Sequence, residues 1–182
     1  MLKPRFAAAL ALLALGAMAL GQNVPTSAKL LSDATALAAK EKKNVWVTFT
    51  ASWCGWCKKM DAFRAVPENK KILDKYFVVV HVTVLESPEH RMLENPGGDQ
   101  LLVDLKGDKQ GIPFFAFLDS KGKMIVNSRR TTEGNREGSN VGHPVAPEEI
   151  AWFMEMLKKG APKMTSSERT TIETWLKAQK IG

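Results

Sequence analysis

Cys54 and Cys57 are the two cysteines of this 182-residue sequence, and two residues separate them. A disulfide between them would close a very small loop, so it would restrict the unfolded chain little and add little stability. Structural frameworks of small exported proteins rely on several such bridges. The pair therefore indicates a chemical role, and the fold must depend on an apolar core, which 45% hydrophobic residues can supply.

The cysteines are predicted to lie where a strand is followed by a helix. Residues 45–50 are rich in β-branched and aromatic side chains, which predicts a strand. A helix is predicted from about residue 54 to residue 65, because Pro67 interrupts the pattern. This order of strand, cysteine motif and helix places the pair at a helix N-terminus.

A helix N-terminus changes the chemistry of the first cysteine. Its unpaired N–H groups and partial positive charge favour the thiolate of Cys54 over the thiol. Lys58 and Lys59 add positive charge nearby. A thiolate is the species that attacks a disulfide. Cys57 lies one helical turn further on, which places it to attack the resulting mixed disulfide and release the product.

The remaining pattern predicts an α/β fold. Residues 85–111 are irregular, and the polar segment 128–147 is predicted to be a mobile loop. The nearly continuous apolar run 77–84 predicts a strand buried on both faces. The element order predicts a mixed central β-sheet flanked by helices, with an extra C-terminal helix. The further helices are predicted at 27–42, 68–75, 147–159 and 166–180, and the further strands at 77–84, 114–118 and 123–127.

The N-terminus has the three-part pattern of a secretory signal peptide. Lys3 and Arg5 precede the apolar run 6–20, and small residues at Ala19 and Gly21 suit cleavage. The run is shorter than the roughly 20 residues that span a bilayer as a helix, although an uncleaved anchor stays open. We therefore expect a signal peptide at 1–21, one main domain at 22–160 and a C-terminal helical extension at 161–182.

Charge and location limit the partners. The net charge of +7 falls to +5 once Lys3 and Arg5 leave with the signal, and the other basic residues are scattered. Nucleic acid is therefore not expected as a partner. We expect an exported monomer, in a bacterial periplasm or outside the cell. Without a second cysteine pair it would need a membrane electron donor or oxidant to restore its cysteines after each cycle.

Two motifs together resemble the thioredoxin superfamily. They are Trp53-Cys54-Gly55-Trp56-Cys57-Lys58 after a strand, and Gly111-Ile112-Pro113-Phe114 before a later one. The resemblance covers residues 28–159 and implies a thioredoxin-like fold, dithiol–disulfide exchange with protein thiols and disulfides, and no bound cofactor or metal. It also implies a cis bond before Pro113, opposite the cysteines. The catalytic residues would be Cys54 and Cys57, and the substrate-binding residues would be Trp53, Gly55, Trp56, Ile112 and Pro113.

The sequence also departs from that family. Many thioredoxins carry a buried acid six residues before the first cysteine, where this chain has Thr48. Threonine cannot take a proton from Cys57, so that route of activating the second thiol is in doubt. Gly55 and Trp56 replace the Gly-Pro pair typical of thioredoxin itself. They supply no charge or imidazole donor to stabilise the Cys54 thiolate. Strong stabilisation of this thiolate makes an oxidant, so its absence favours a reductant among exported thioredoxin-like proteins.

An alternative is a redox-inactive or metal-handling module on the same fold, similar to copper-delivery proteins. His81, His90 and His143 could complete a site that two cysteines leave unfinished. His81 sits in an apolar strand, so we expect it to be packed in the core. Trp46, Trp152 and Trp175 are also expected in the core, whereas Trp53 and Trp56 are expected to flank exposed thiols as a docking surface.

Overall fold

A computed structural model describes residues 24–179, so the predicted signal peptide lies outside the described residues. The helices are α1 (Ser27–Glu41), α2 (Gly55–Ala65), α3 (Pro67–Leu73), α4 (Gly98–Asp104), α5 (Pro147–Gly160) and α6 (Ser166–Lys177), with a 3-10 helix at Pro88–Leu93. The strands are β1 (Asn44–Thr50), β2 (Phe77–Thr83), β3 (Phe114–Leu118), β4 (Met124–Asn127), β5 (Arg129–Thr132) and β6 (Asn135–Asn140). No helix among residues 24–179 is long and apolar enough to cross a membrane.

The central sheet has four strands in the order β2-β1-β3-β4. Strands β1 and β2 run parallel, whereas β3 is antiparallel to both β1 and β4. Helices cover both faces, so the prediction of a mixed sheet flanked by helices is confirmed. Strand β1 is central and buried, and it carries the chain directly to the cysteine motif.

The core has two layers because side chains alternate across each strand. On one face Trp46 packs with aromatic rings of β2, β3 and α5. The same cluster includes Ile172 and Leu176 of α6, so the extra C-terminal helix packs on the domain core. On the other face, Val47 and its neighbours pack against α1 and α4.

Residues 129–140 of the segment 128–147 form a hairpin, so the prediction of a loop was wrong for this part of it. Strands β5 and β6 form a separate two-stranded sheet. Most of their side chains are exposed and polar, so the segment lacks the apolar alternation that identifies a half-buried strand. Gly138 allows the strands to close: its φ is +79°, and an added β-carbon would lie 3.1 Å from the Thr131 side chain.

Strand β2 lies at an edge of the sheet and is only partly buried, so the prediction of burial on both faces was also wrong. His81 is consequently exposed, not packed in the core. Its Nε2 lies 2.9 Å from a carboxylate oxygen of Asp61 and 3.1 Å from the guanidinium of Arg64. Hydropathy along the chain does not show which strand will be at an edge.

The three tryptophans predicted for the core differ in burial. Trp46 is fully buried, whereas Trp152 and Trp175 are partly buried and pack against the edge of the same cluster. The irregular segment 85–111 contains the 3-10 helix and α4. The last helix ends at Lys177, and the predicted end at residue 180 lies outside the described residues.

Candidate active site

The cysteines lie where β1 passes into α2, as the sequence predicted. Cys54 is the N-cap residue of α2, and its Sγ accepts a hydrogen bond from the Cys57 N–H at 3.1 Å. The two residues form a disulfide in this structure. A sulfur at this position lies close to the unpaired N–H groups and to the positive end of the helix dipole. Both stabilise a thiolate.

The sulfurs are less accessible than expected. Cys54 and Cys57 are each 2% exposed, whereas Trp53 is 58% exposed and Trp56 is 44% exposed. The expectation of exposed thiols is therefore wrong for the disulfide form. The two indoles present apolar surface on either side of the buried pair, and Lys59 Nζ lies 4.3 Å from the centre of the Trp56 ring.

The second motif lies against the cysteines. The Ile112–Pro113 bond is cis, as the resemblance implied. Ile112 packs against a small cluster of Ala51, Cys54 and Cys57. A cavity of about 250 Å³ lies beside this contact, and Trp56, Ile112 and Pro113 are among its lining residues. Of the predicted substrate-binding positions, Ile112 thus contacts the cysteine cluster, Trp53 and Trp56 adjoin the cysteines in sequence, and Pro113 follows Ile112 through the cis bond. The fifth, Gly55, is the first residue of α2.

Asn140 at the end of β6 holds the proline segment in place. Its Nδ2 donates to the carbonyl oxygens of Pro113 at 3.0 Å and Gly111 at 3.2 Å. Its Oδ1 accepts from the Ser128 hydroxyl at 2.7 Å and from the Gly142 N–H at 3.0 Å. Sequence reasoning missed this residue because it lies in the segment predicted to be a loop, where no periodic signal marks it.

The loop after β2 is hydrogen-bonded to the residues just before Cys54. The Glu86 carboxylate accepts from the Ser52 N–H at 2.6 Å and from the Ser52 hydroxyl at 2.7 Å. The Leu85 carbonyl accepts from the Trp53 indole N–H at 2.7 Å, and Leu85 adopts a left-handed backbone conformation with φ of 56°. Glu86 was also missed, and the sequence contains no signal that would connect it with Ser52.

His143 is the histidine that packs beside the motif. It is 3% exposed, and its ring centre lies 6.2 Å from that of Trp56 and 6.3 Å from that of Phe63. Its Nε2 lies 2.7 Å from Gln179 Oε1, and because this oxygen can only accept, Nε2 carries the proton. Burial lowers the pKa of His143, and the nearby charge of Lys59 lowers it further, although the Gln179 hydrogen bond opposes this.

Thr48 occupies the position of the missing acid. It shares a strand face with Trp46, and that face packs against α2, the helix that carries Cys57. Thr48 is buried, and its hydroxyl has no hydrogen-bond partner among residues 24–179. The position therefore contributes no group that ionises near neutral pH.

The three histidines considered for a metal site lie on separate elements. His81 is in β2, His90 is in the 3-10 helix, and His143 is in the segment before α5. Within the described part of the chain, no group of three or more His, Cys, Asp or Glu residues lies close enough to hold a metal ion.

A mixed sheet that places a Cys-x-x-Cys pair at a helix N-cap, with a cis-proline segment packed against it, is the arrangement of the thioredoxin class. The family model for thioredoxin-like proteins matches residues 27–120, just over half of the chain. The chain belongs to the thioredoxin-like family.

Individual relatives are more distant. Mouse protein disulfide-isomerase A2 is 28% identical over 124 residues, which is 62% of this chain and 23% of the relative. The chain thus spans about a quarter of the length of that relative. The solved structure of a disulphide isomerase from Xylella fastidiosa matches with a TM-score of 0.47 at 21% identity. The match covers 81% of this chain and 86% of the isomerase chain. A Thermus thermophilus thioredoxin has a TM-score of 0.44 at 22% identity, with 74% and 89% covered.

Proposed function

We propose that this chain is an exported thiol–disulfide oxidoreductase that exchanges disulfides with protein substrates. Cys54 is the attacking residue and Cys57 is the resolving residue. The observation that carries this proposal is the position of Cys54 Sγ at the N-cap of α2, where it accepts the Cys57 N–H. This environment stabilises the thiolate that exchange requires.

The reaction begins from the dithiol form of the protein. The Cys54 thiolate attacks one sulfur of a substrate disulfide, forms a mixed disulfide and expels the other substrate sulfur as a thiolate, which takes up a proton. Cys57 then loses its proton and attacks Cys54 Sγ. This step forms the Cys54–Cys57 disulfide and releases the second substrate thiol. In total, two electrons and two protons pass from the protein to the substrate.

Substrate docking is proposed for the surface around the disulfide. Trp53 and Trp56 offer exposed apolar area, and Gly55 between the cysteines leaves space beside the sulfurs. Ile112 and Pro113 lie against the pair, where Ile112 would pair through its main chain with an extended substrate. Cys54 and Cys57 are almost fully buried in the disulfide form, so we expect the side chains around them to move when a partner reduces the disulfide.

Export and the direction of electron flow are further parts of the proposal. The pattern of residues 1–21 supports export, so that 22–160 forms the thioredoxin-like domain and 161–182 the helical extension. We favour a monomeric reductant recharged by a membrane electron donor. This direction is supported by the absence of charge and of imidazole donors at Gly55 and Trp56, since strong thiolate stabilisation is what makes an oxidant.

Insulin reduction with a dithiol present tests the activity. Reduced protein should accelerate precipitation of the insulin B chain, and Cys54→Ser should abolish the acceleration because it removes the attacking thiolate. Cys57→Ser should instead accumulate mixed disulfides, which mass spectrometry detects as trapped adducts. Equal trapping by both single variants would contradict the assigned roles. If the protein bound Cu(I) but did not reduce insulin, the metal-handling alternative would replace this proposal.

A further inference from the structure

We propose that Glu86 is a positioning residue whose buried carboxylate opposes the Cys54 thiolate and makes the dithiol form a stronger reductant. The inference rests on the proposed function for its biological meaning. The potential itself can be measured whether or not the protein acts on a given substrate.

The geometry fixes this carboxylate beside the cysteine motif. Glu86 is 7% exposed, and both of its oxygens are held by Ser52, at 2.6 Å from the N–H and 2.7 Å from the hydroxyl. Ser52 is two residues before Cys54, so the carboxylate lies on the order of 10 Å from the Cys54 sulfur. The neighbouring bond from the Trp53 indole to the Leu85 carbonyl holds the same loop in place.

The negative charge is not neutralised by a contacting cation. Glu86 forms no ion pair with any residue in the range 24–179. Glu94 adds a second carboxylate, which accepts from the Glu86 N–H at 2.8 Å. Charges of the opposite sign come from Lys58 and Lys59 of α2, and Lys59 is held over the Trp56 ring. Two acids of the loop after β2 and two lysines of α2 are therefore the charged groups near the cysteine motif, and they act on the Cys54 thiolate with opposite sign.

The consequence follows from electrostatics. A fixed negative charge raises the free energy of a nearby thiolate, and burial weakens the screening by water. Destabilising the thiolate disfavours the reduced protein, so electrons are given up more readily. Glu86 thus acts against the helix N-terminus, which stabilises the same thiolate. Glu86 therefore makes the protein a stronger reductant, which is the same direction that Gly55 and Trp56 indicated in the sequence.

Glu86→Gln tests the charge, because glutamine keeps the size and can still accept the Ser52 N–H. Variant and parent are equilibrated with reduced and oxidised glutathione. In this exchange the Cys54–Cys57 disulfide takes two electrons and two protons from two glutathione thiols and yields one glutathione disulfide. The equilibrium should shift about fivefold toward the reduced protein, which corresponds to about 20 mV for a two-electron couple. Thiolate absorbance should show a lower Cys54 pKa.

Glu89→Gln is the matched control, because Glu89 is an exposed acid in the same loop. It should change the glutathione equilibrium much less than Glu86→Gln. If Glu86→Gln does not fold, Glu86→Asp keeps the charge and shortens the side chain, and it should leave the potential close to that of the parent. An unchanged potential in folded Glu86→Gln, or an equal shift in Glu89→Gln, would overturn the proposal. Loss of insulin reduction with the predicted shift would contradict the proposed function alone.

Discussion

The two sides of the disulfide are built in different ways. On the cysteine side, the strand, the N-cap and the helix follow one another between Asn44 and Ala65. On the proline side, the segment around Pro113 is held by Asn140, which lies 27 residues further along the chain. The first side is assembled from neighbours in sequence, whereas the second depends on a hairpin inserted after β4.

The cysteine side determines the redox chemistry, whereas the proline side determines the geometry of the site. The thiolate environment of Cys54 comes mainly from local backbone groups of α2. The position of Ile112 and Pro113 depends on side-chain bonds from a distant strand. Changes on the proline side should therefore affect substrate binding and stability, and changes on the cysteine side should affect the redox steps.

Asn140→Ala should have the largest effect on the proline side. It removes four side-chain hydrogen bonds at once, three of them partly buried, which should lower the free energy of unfolding by roughly 2–4 kcal/mol. The KM for a peptide disulfide should rise, whereas the glutathione equilibrium of the cysteines should stay unchanged. Urea unfolding, steady-state kinetics and redox titration measure these quantities.

Asn135→Ala near the exposed turn of the same hairpin is the control, since the Asn135 side chain bonds only Ser139 and Gly138 among the described residues. Its effect on stability should be within about 0.5 kcal/mol. If Asn140→Ala changed the potential and left KM untouched, the separation between the two sides would fail.

Thr48→Asp tests proton transfer from Cys57 on the cysteine side. A buried carboxylate has a raised pKa, so it could take a proton from Cys57 near neutral pH. The release step should change its pH dependence, whereas the initial attack by Cys54 should be little affected. Stopped-flow measurements separate the two steps, and unchanged profiles for both would show that position 48 does not face the cysteines.

Thr48→Val provides the companion variant for that position. It removes a buried hydroxyl that has no partner among residues 24–179, so stability should rise by about 1 kcal/mol. Both exchange steps should keep the parent's rates. A slower release step in Thr48→Val would mean that the hydroxyl itself takes part in proton transfer.

His143→Phe should have the smallest effect, and it concerns pH. Burial lowers the pKa of His143 below its ordinary value of 6.5, so the unfolded chain binds a proton more readily than the folded one. The stability from the neutral ring is present above that value and is lost as the pH falls below it. The variant should lose less stability than the parent between about pH 7 and about pH 5.

Thermal melts at several pH values measure this slope. Phenylalanine keeps the ring packing against Trp56 and Phe63 but leaves Gln179 Oε1 without its donor, so a small loss at high pH is expected. The exposed His90 is the control, and His90→Gln should keep the parent's slope. An identical slope in His143→Phe would show that another group controls the acid sensitivity.

The elements of the cysteine side were predictable from the sequence alone. A β-branched strand, a cysteine N-cap and a helix stopped at Pro67 are neighbours in the chain, so local conformational preferences specify their order and the site of the thiolate. The mixed sheet followed from the order of the elements. The cis bond at Pro113 was predictable by resemblance, not from these preferences.

The contacts that complete the site were not predictable, because they join residues far apart in the sequence. Asn140 meets Pro113, Glu86 meets Ser52 and Gln179 meets His143 across 27, 34 and 36 residues. No local pattern encodes such pairs, because each is set by how strands and helices pack once the core forms. The same holds for β2, whose apolar sequence predicted burial but whose place at the sheet edge left His81 exposed. Burial depends on which residues are neighbours in space, and the order of residues along the chain does not show these neighbours.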